Sequence, residues 1–214
     1  MYAPASFRVE DRRVLLDFLR RHVFATVVSG GGAGGTLTAS HLPLSVGENA
    51  AGEIVLSGHM ARANPQWRGF RADAEVLVIF QGPHGYISPS WYESEQAVPT
   101  WNYTVVHGYG VPRIIESGER LAEIVDDAVA ENERGFEKPW KGDALADDFR
   151  EKLLAAIVGF EIPLSRIEGK FKLGQNRSAE DVEGVCRALE GTGSEADGEL
   201  ARLMREAKGE TSGG

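Results

Sequence analysis

Strand-like runs set the order of this chain, and helices do not alternate with them. Read by side-chain period, seven stretches have extended character: residues 23–28 (V-F-A-T-V-V), 36–46, 52–60, 75–81 (E-V-L-V-I-F-Q), 85–92, 99–110 and 158–173. Gly82-Pro83 stops the fourth run, and Pro163 interrupts the last. Helical periodicity falls at 11–21, 116–134, 145–155 and 178–189, with a short turn of helix at 64–70 and a last amphipathic piece at 199–208. A doubly wound parallel sheet needs a helix after nearly every strand. This order instead predicts a mainly β, α+β fold: an antiparallel barrel with peripheral helices inserted or appended. Residues 1–190 read as one domain, and 191–214 as a linker, a short helix and a flexible tail.

The 214 residues suffice for a real core without staples. The single cysteine, Cys186, excludes an intrachain disulfide and suits a reducing cytoplasm. The first ten residues lack a signal-peptide pattern, and no apolar run has membrane-spanning length, so a cytoplasmic protein without membrane contact is expected. The net charge is −9. Nucleic-acid binders draw most of their affinity from phosphate neutralisation, and this chain has no basic recognition helix, so direct nucleic-acid binding is not expected. Its cations are clustered locally, which fits a small anionic ligand better than a polyanion.

The stretch 99–110 (P-T-W-N-Y-T-V-V-H-G-Y-G) puts Trp101, Tyr103, Val105, His107 and Tyr109 on one face and Asn102, Thr104, Val106 and Gly108 on the other. Neither face is cleanly polar, so both are expected to be covered. The stretch is either an aromatic core strand or one wall of a site for a flat ligand. Residues 170–177 (K-F-K-L-G-Q-N-R) look like the other wall. Gly30, Gly32 and Gly35 formally fit a dinucleotide fingerprint, but a strand follows them where a helix is required, so 29–35 reads as a hairpin loop.

Two places combine a cation with a helix start, a natural anion site. Arg62 precedes the turn opened by Asn64-Pro65, and Arg177 precedes a helix capped by Ser178, with Lys170 and Lys172 nearby. Asp181, three residues after Ser178, approximates a capping box. Ser40-His41-Leu42-Pro43 places polar donors beside a proline in a strand pattern, which marks an edge or a bulge. The histidines at 22, 41, 59, 84 and 107 lack metal-ligand spacing, so no metal is expected. There is no G-x-S-x-G, Cys186 lies within a helix as packing, and no residue reads as catalytic.

Six separated motifs now agree: M-Y-A-P-A-S-F at the start, A-S-H-L-P at 39–43, G-H-M-A-R-A-N-P-Q-W at 58–67, Y-I-S-P-S-W-Y at 86–92, the 99–110 stretch, and I-E-G-K-F-K-L-G-Q-N-R at 167–177. Together they resemble the PaiB-like family of FMN-binding negative transcriptional regulators, with one departure at Ser6, where that family often has histidine. The resemblance implies a split β-barrel of the pyridoxamine-phosphate-oxidase type, a homodimer, and FMN at the subunit interface. It carries cofactor contacts onto Ser40, His41, Leu42, Pro43, His59, Arg62, Asn64, Trp101, Asn102, Lys170, Lys172, Gln175, Asn176 and Arg177. An FMN-dependent oxidoreductase and a split-barrel haem protein are the alternative functions.

Overall fold

The structure, a computed structural model, describes residues 1–30, 36–142 and 145–211. The chain divides into two compact units. One comprises Met1–Leu15, Gln81–Val106 and Glu168–Gly214, and the other Leu16–Phe80 and His107–Ile167. Among the described residues the strands are β1 (Arg8–Val9), β2 (Phe24–Ser29), β3 (Thr38–Pro43), β4 (Ser45–Glu48), β5 (Ile54–Ala61), β6 (Val76–Ile87), β7 (Thr100–Gly110), β8 (Arg113–Ile115) and β9 (Ile157–Lys172). They hydrogen-bond in the order β3-β2-β6-β7-β9-β5-β4, with β1 and β8 also pairing β9, and every registered pair is antiparallel. The helices are α1 (Arg12–Arg21), α2 (Gly118–Glu133), α3 (Asp147–Ala155), α4 (Ala179–Gly191) and α5 (Glu195–Thr211).

In the unit built on Leu16–Phe80 and His107–Ile167, β2 and β3 pair as Phe24↔Pro43 through Ser29↔Thr38. The glycine loop expected to join them lies, at 31–35, outside the described residues. The expected strand at 36–46 divides at Leu44. Leu44 is buried, and its N–H donates to the Val23 carbonyl at 2.9 Å. Here the chain changes partners, from β2 to β5, as Ser45↔Ser57 shows. The expected break at Pro163 does not occur, and β9 is continuous. Pro163 is the last residue registered with β5, opposite Val55, so its missing N–H falls at the end of that ladder. Gly110 makes the close approach possible, since a Cβ there would overlap the Pro163 carbonyl. Strand β8, opposite Glu161–Gly159, was not expected because three residues carry no readable period. Phe80, Phe160, Leu56 and Val78 are buried, and Phe70 meets Phe160 edge-on at 5.6 Å.

The other unit is a strand-and-helix layer. Ile87, Leu173, Val182, Val185, Cys186, Leu189, Leu200, Ala201 and Met204 form one buried cluster. The segment expected to be a linker with a short helix is α5, a 17-residue helix whose Leu200, Ala201 and Met204 complete that cluster. The stop expected at Gly82-Pro83 is absent, and β6 runs through it. The registered β2 pairs on β6 end at Ile79, short of Pro83, and the Pro83 carbonyl accepts from the Thr104 hydroxyl at 3.3 Å.

Candidate functional site

The sequence predicts cover on both faces of β7, and the structure covers one of them more fully than the other. Asn102, Thr104 and Val106 are buried, while Trp101 is 54% exposed and Tyr103 and Val105 are half-buried. The small and polar residues face the core, and the aromatic row faces outward. Asn102 donates from Nδ2 to the Met204 thioether at 3.3 Å, so its amide is spent inside. Trp101 stands between His84, stacked at 6.5 Å, and Tyr86, edge-on at 6.1 Å.

The cations at the end of β9 and in the following turn share this unit. Lys170 Nζ lies 5.2 Å from the Tyr103 ring centre and 5.5 Å from that of Tyr2. Lys172 donates to the Thr100 hydroxyl, and at 2.8 Å to the Trp101 carbonyl. Burial, then the Lys170 and Arg177 charges, hold Lys172 below the ordinary lysine pKa. Among the described residues no carboxylate pairs with Lys170 or Lys172. Arg177 sits over the Tyr92 ring at 4.6 Å. Between the lysines and Arg177 the chain turns at Gly174 (φ +82°), which only glycine adopts without strain. Gln175 braces that turn, accepting from Leu173 N–H at 2.8 Å and donating to the Phe171 carbonyl at 2.7 Å. Asn176 is exposed beside it.

Ser178 caps α4 by accepting from Asp181 N–H at 3.1 Å. The capping box does not close. Asp181 is one methylene shorter than glutamate, and its carboxylate instead accepts from Ser94 N–H at 2.9 Å and Ser94 Oγ at 2.8 Å. Burial pushes this carboxyl up, but the Ser94 and Glu93 donors and the Arg177 charge outweigh it and leave the pKa below the usual range.

The remaining candidates lie in the other unit. Ser40 Oγ accepts from Asn64 Nδ2 at 2.9 Å, and His41 Nδ1 is 2.9 Å from the hydroxyl of its cross-strand partner Thr26. Phe24 lies face to face with His41 at 6.5 Å and opposite Pro43, and Leu42 pairs with Ala25. β3 begins the strand order, so this stretch is an edge. His59 is half-buried, and burial lowers its pKa. Arg62 differs from expectation in its setting. Its Nε and Nη2 donate to the Ala155 and Ile157 carbonyls at 2.7 Å each, and the turn after Asn64 is a five-residue 3-10 helix, Pro65–Gly69. Arg62 borders a cavity of about 620 Å³ with Trp67, Ile115, Leu121 and Leu154. Tyr92, Ser94, Thr100 and Asp181 were not singled out as site residues. Asp181's spacing from Ser178 points to a cap, and Tyr92 and Thr100 fall within the motifs at 86–92 and 99–110.

Residues 1–166 match the model of the family described as "Putative FMN-binding domain". The chain is 38% identical over 206 residues, 96% of its own length and 97% of the other's, to the protease synthase and sporulation protein PAI 2 of Bacillus subtilis. The chain belongs to the PaiB-like FMN-binding family. A protein of Emericella nidulans, AN0679, is 32% identical over 205 residues, covering 79% of this chain and 82% of that one. Among solved structures, the flavocytochrome Anf3 from Azotobacter vinelandii superposes with a TM-score of 0.59 at 13% identity, over 78% of this chain and 70% of that one. The FAD and heme binding protein from Mycobacterium smegmatis gives 0.57 at 17%, over 78% and 74%. The fold of this PaiB-like chain is therefore the antiparallel split barrel of those proteins, with five helices among the described residues.

FMN is the cofactor of the family, and the donor chemistry fits it. Two lysines without carboxylate partners and an arginine lie close enough for their charges to couple, which suits a phosphate monoester carrying about −1.5 to −2 charge at pH 7. An exposed indole in the same unit suits a flat ring. Among the described residues no cluster of histidine, cysteine or carboxylate side chains could hold a metal ion.

Proposed function

We propose that this chain is a cytoplasmic, FMN-binding regulator of the PaiB type, with FMN held at a homodimer interface. The observation that carries the reading is the cation set Lys170, Lys172 and Arg177, its lysines unpaired with carboxylate and Trp101 exposed in the same unit. In it the lysines and Arg177 hold the phosphate, and Trp101 and Tyr103 present ring faces to the flavin. Ser40, His41, Leu42, Pro43, His59 and Asn64 are proposed as further contacts. Asn102 and Gln175 serve as braces, since their amides are engaged within the protein. The interface reading draws support from Tyr2, Tyr86 and Trp101, large aromatics left exposed on one unit. A relative named for protease synthase and sporulation supports a role in control.

When bound, FMN supplies redox chemistry of its own, and the protein supplies binding and orientation. With a net charge of −9, regulation through a protein partner or through flavin occupancy is favoured over direct DNA contact. The test is chemical identification of the cofactor released from purified protein, followed by NAD(P)H turnover. FMN without turnover supports the regulator. FMN with sustained turnover would make the protein an oxidoreductase, and a haem spectrum would overturn the flavin reading.

A further inference from the structure

The family match ends at residue 166, and the cation set lies beyond it, in the stretch 167–214. Within that stretch Arg177 is not free to swing. Its guanidinium lies over the Tyr92 ring at 4.6 Å. Tyr92 follows a short 3-10 helix, Pro89–Trp91, which is itself held in two ways. Gly184 of α4 lies so close that a Cβ there would overlap the Trp91 carbonyl. Two residues after Tyr92, Ser94 gives both its N–H and its hydroxyl to Asp181, whose side chain is among the most buried charged groups of the chain, at 2% exposure.

A carboxylate this buried is costly unless it is paired and hydrogen-bonded. Ser94 satisfies it with two hydrogen bonds, and the Arg177 charge favours its ionised form. Asp181 thus holds Ser94, two residues along the backbone from Tyr92, and the Tyr92 ring meets Arg177.

We infer that Tyr92, Ser94 and Asp181 are the positioning residues of the phosphate site, fixing Arg177 so that it and the two lysines meet one phosphate monoester. This rests on the proposed role of Lys170, Lys172 and Arg177. The formal charges are three cations and one carboxylate, a surplus of two, which matches a dianionic monoester. Asp181 thereby sets the charge of the site as well as its geometry.

The readout is the ratio of FMN to riboflavin affinity, because riboflavin has the ring and lacks the phosphate. A merely structural role would weaken both ligands together and leave the ratio unchanged. Tyr92→Leu, which keeps the buried carboxylate and its serine, is expected to lower the ratio on the order of tenfold. Tyr92→Phe keeps the ring and should recover most of that loss. Asp181→Asn should lower the ratio as well, if it folds, and Tyr92→Leu carries the test where it does not. An unchanged ratio in Tyr92→Leu, with Lys172→Ala and Arg177→Ala lowering it, would overturn the positioning role and leave the phosphate site standing. A ratio unmoved by Lys172→Ala and Arg177→Ala would overturn both.

Discussion

Lys172 is held below the ordinary lysine pKa first by burial and then by two neighbouring cations, and that gives the proposed phosphate site a pH signature. Only the charged ammonium holds phosphate. The FMN-to-riboflavin affinity ratio should therefore be full near neutrality and fall as pH rises through a pKa lower than about 10.4. Lys172→Arg should move that fall to higher pH, because guanidinium stays charged. Titrations of both ligands from neutral to alkaline pH check this. His59 gives a second signature, in stability. Its folded pKa lies below 6.5 because burial disfavours the imidazolium. Between that folded value and 6.5 the unfolded chain binds a proton that the folded chain does not, so stability falls as pH drops through this window. His59→Gln should flatten the slope of melting temperature between about pH 5 and 7. At this scale the cations were legible in the sequence, since a charge before a capped helix declares itself. Their supports were not. Tyr92 and Ser94 reach Asp181 and Arg177 across more than eighty residues of chain, and no local period carries that.

Among the elements, α5 departs furthest from its sequence reading. Residues 191–198 read as a linker, which leaves only 199–208 as a short appended helix. In the structure Leu200 and Met204 are fully buried against α4 and the buried Asn102 of β7. Leu200→Ala should cost about 2–5 kcal/mol, an effect read as a lowered denaturation midpoint. A truly peripheral tail would show almost none. The strands were more legible, because β-branched and aromatic runs bounded by glycine and proline name themselves. Proline is where sequence and structure part: Pro83 and Pro163 read as breaks, yet each sits where one side of the strand needs no ladder donor, and that depends on the neighbouring strand. Leu44 erred the other way, as an apolar residue in a continuous run at which the chain changes partners.

For the whole molecule, the proposed interface site makes dimer and cofactor mutually dependent. FMN bound by both subunits should strengthen association by about 2.7 kcal/mol at a hundredfold excess over its dissociation constant. Sedimentation at dilutions near the dimer dissociation constant, with and without FMN, reads this directly, and a monomer that binds FMN fully would move the site into one chain. The proposed phosphate site of Lys170, Lys172 and Arg177 would make the protein specific for FMN over riboflavin. The most direct measurement is a pair of fluorescence titrations of the wild-type protein, one with FMN and one with riboflavin. Each charge-assisted phosphate contact contributes roughly 1.5–3 kcal/mol, so a preference for FMN on the order of a hundredfold or more is expected. Equal affinity for the two flavins would contradict it.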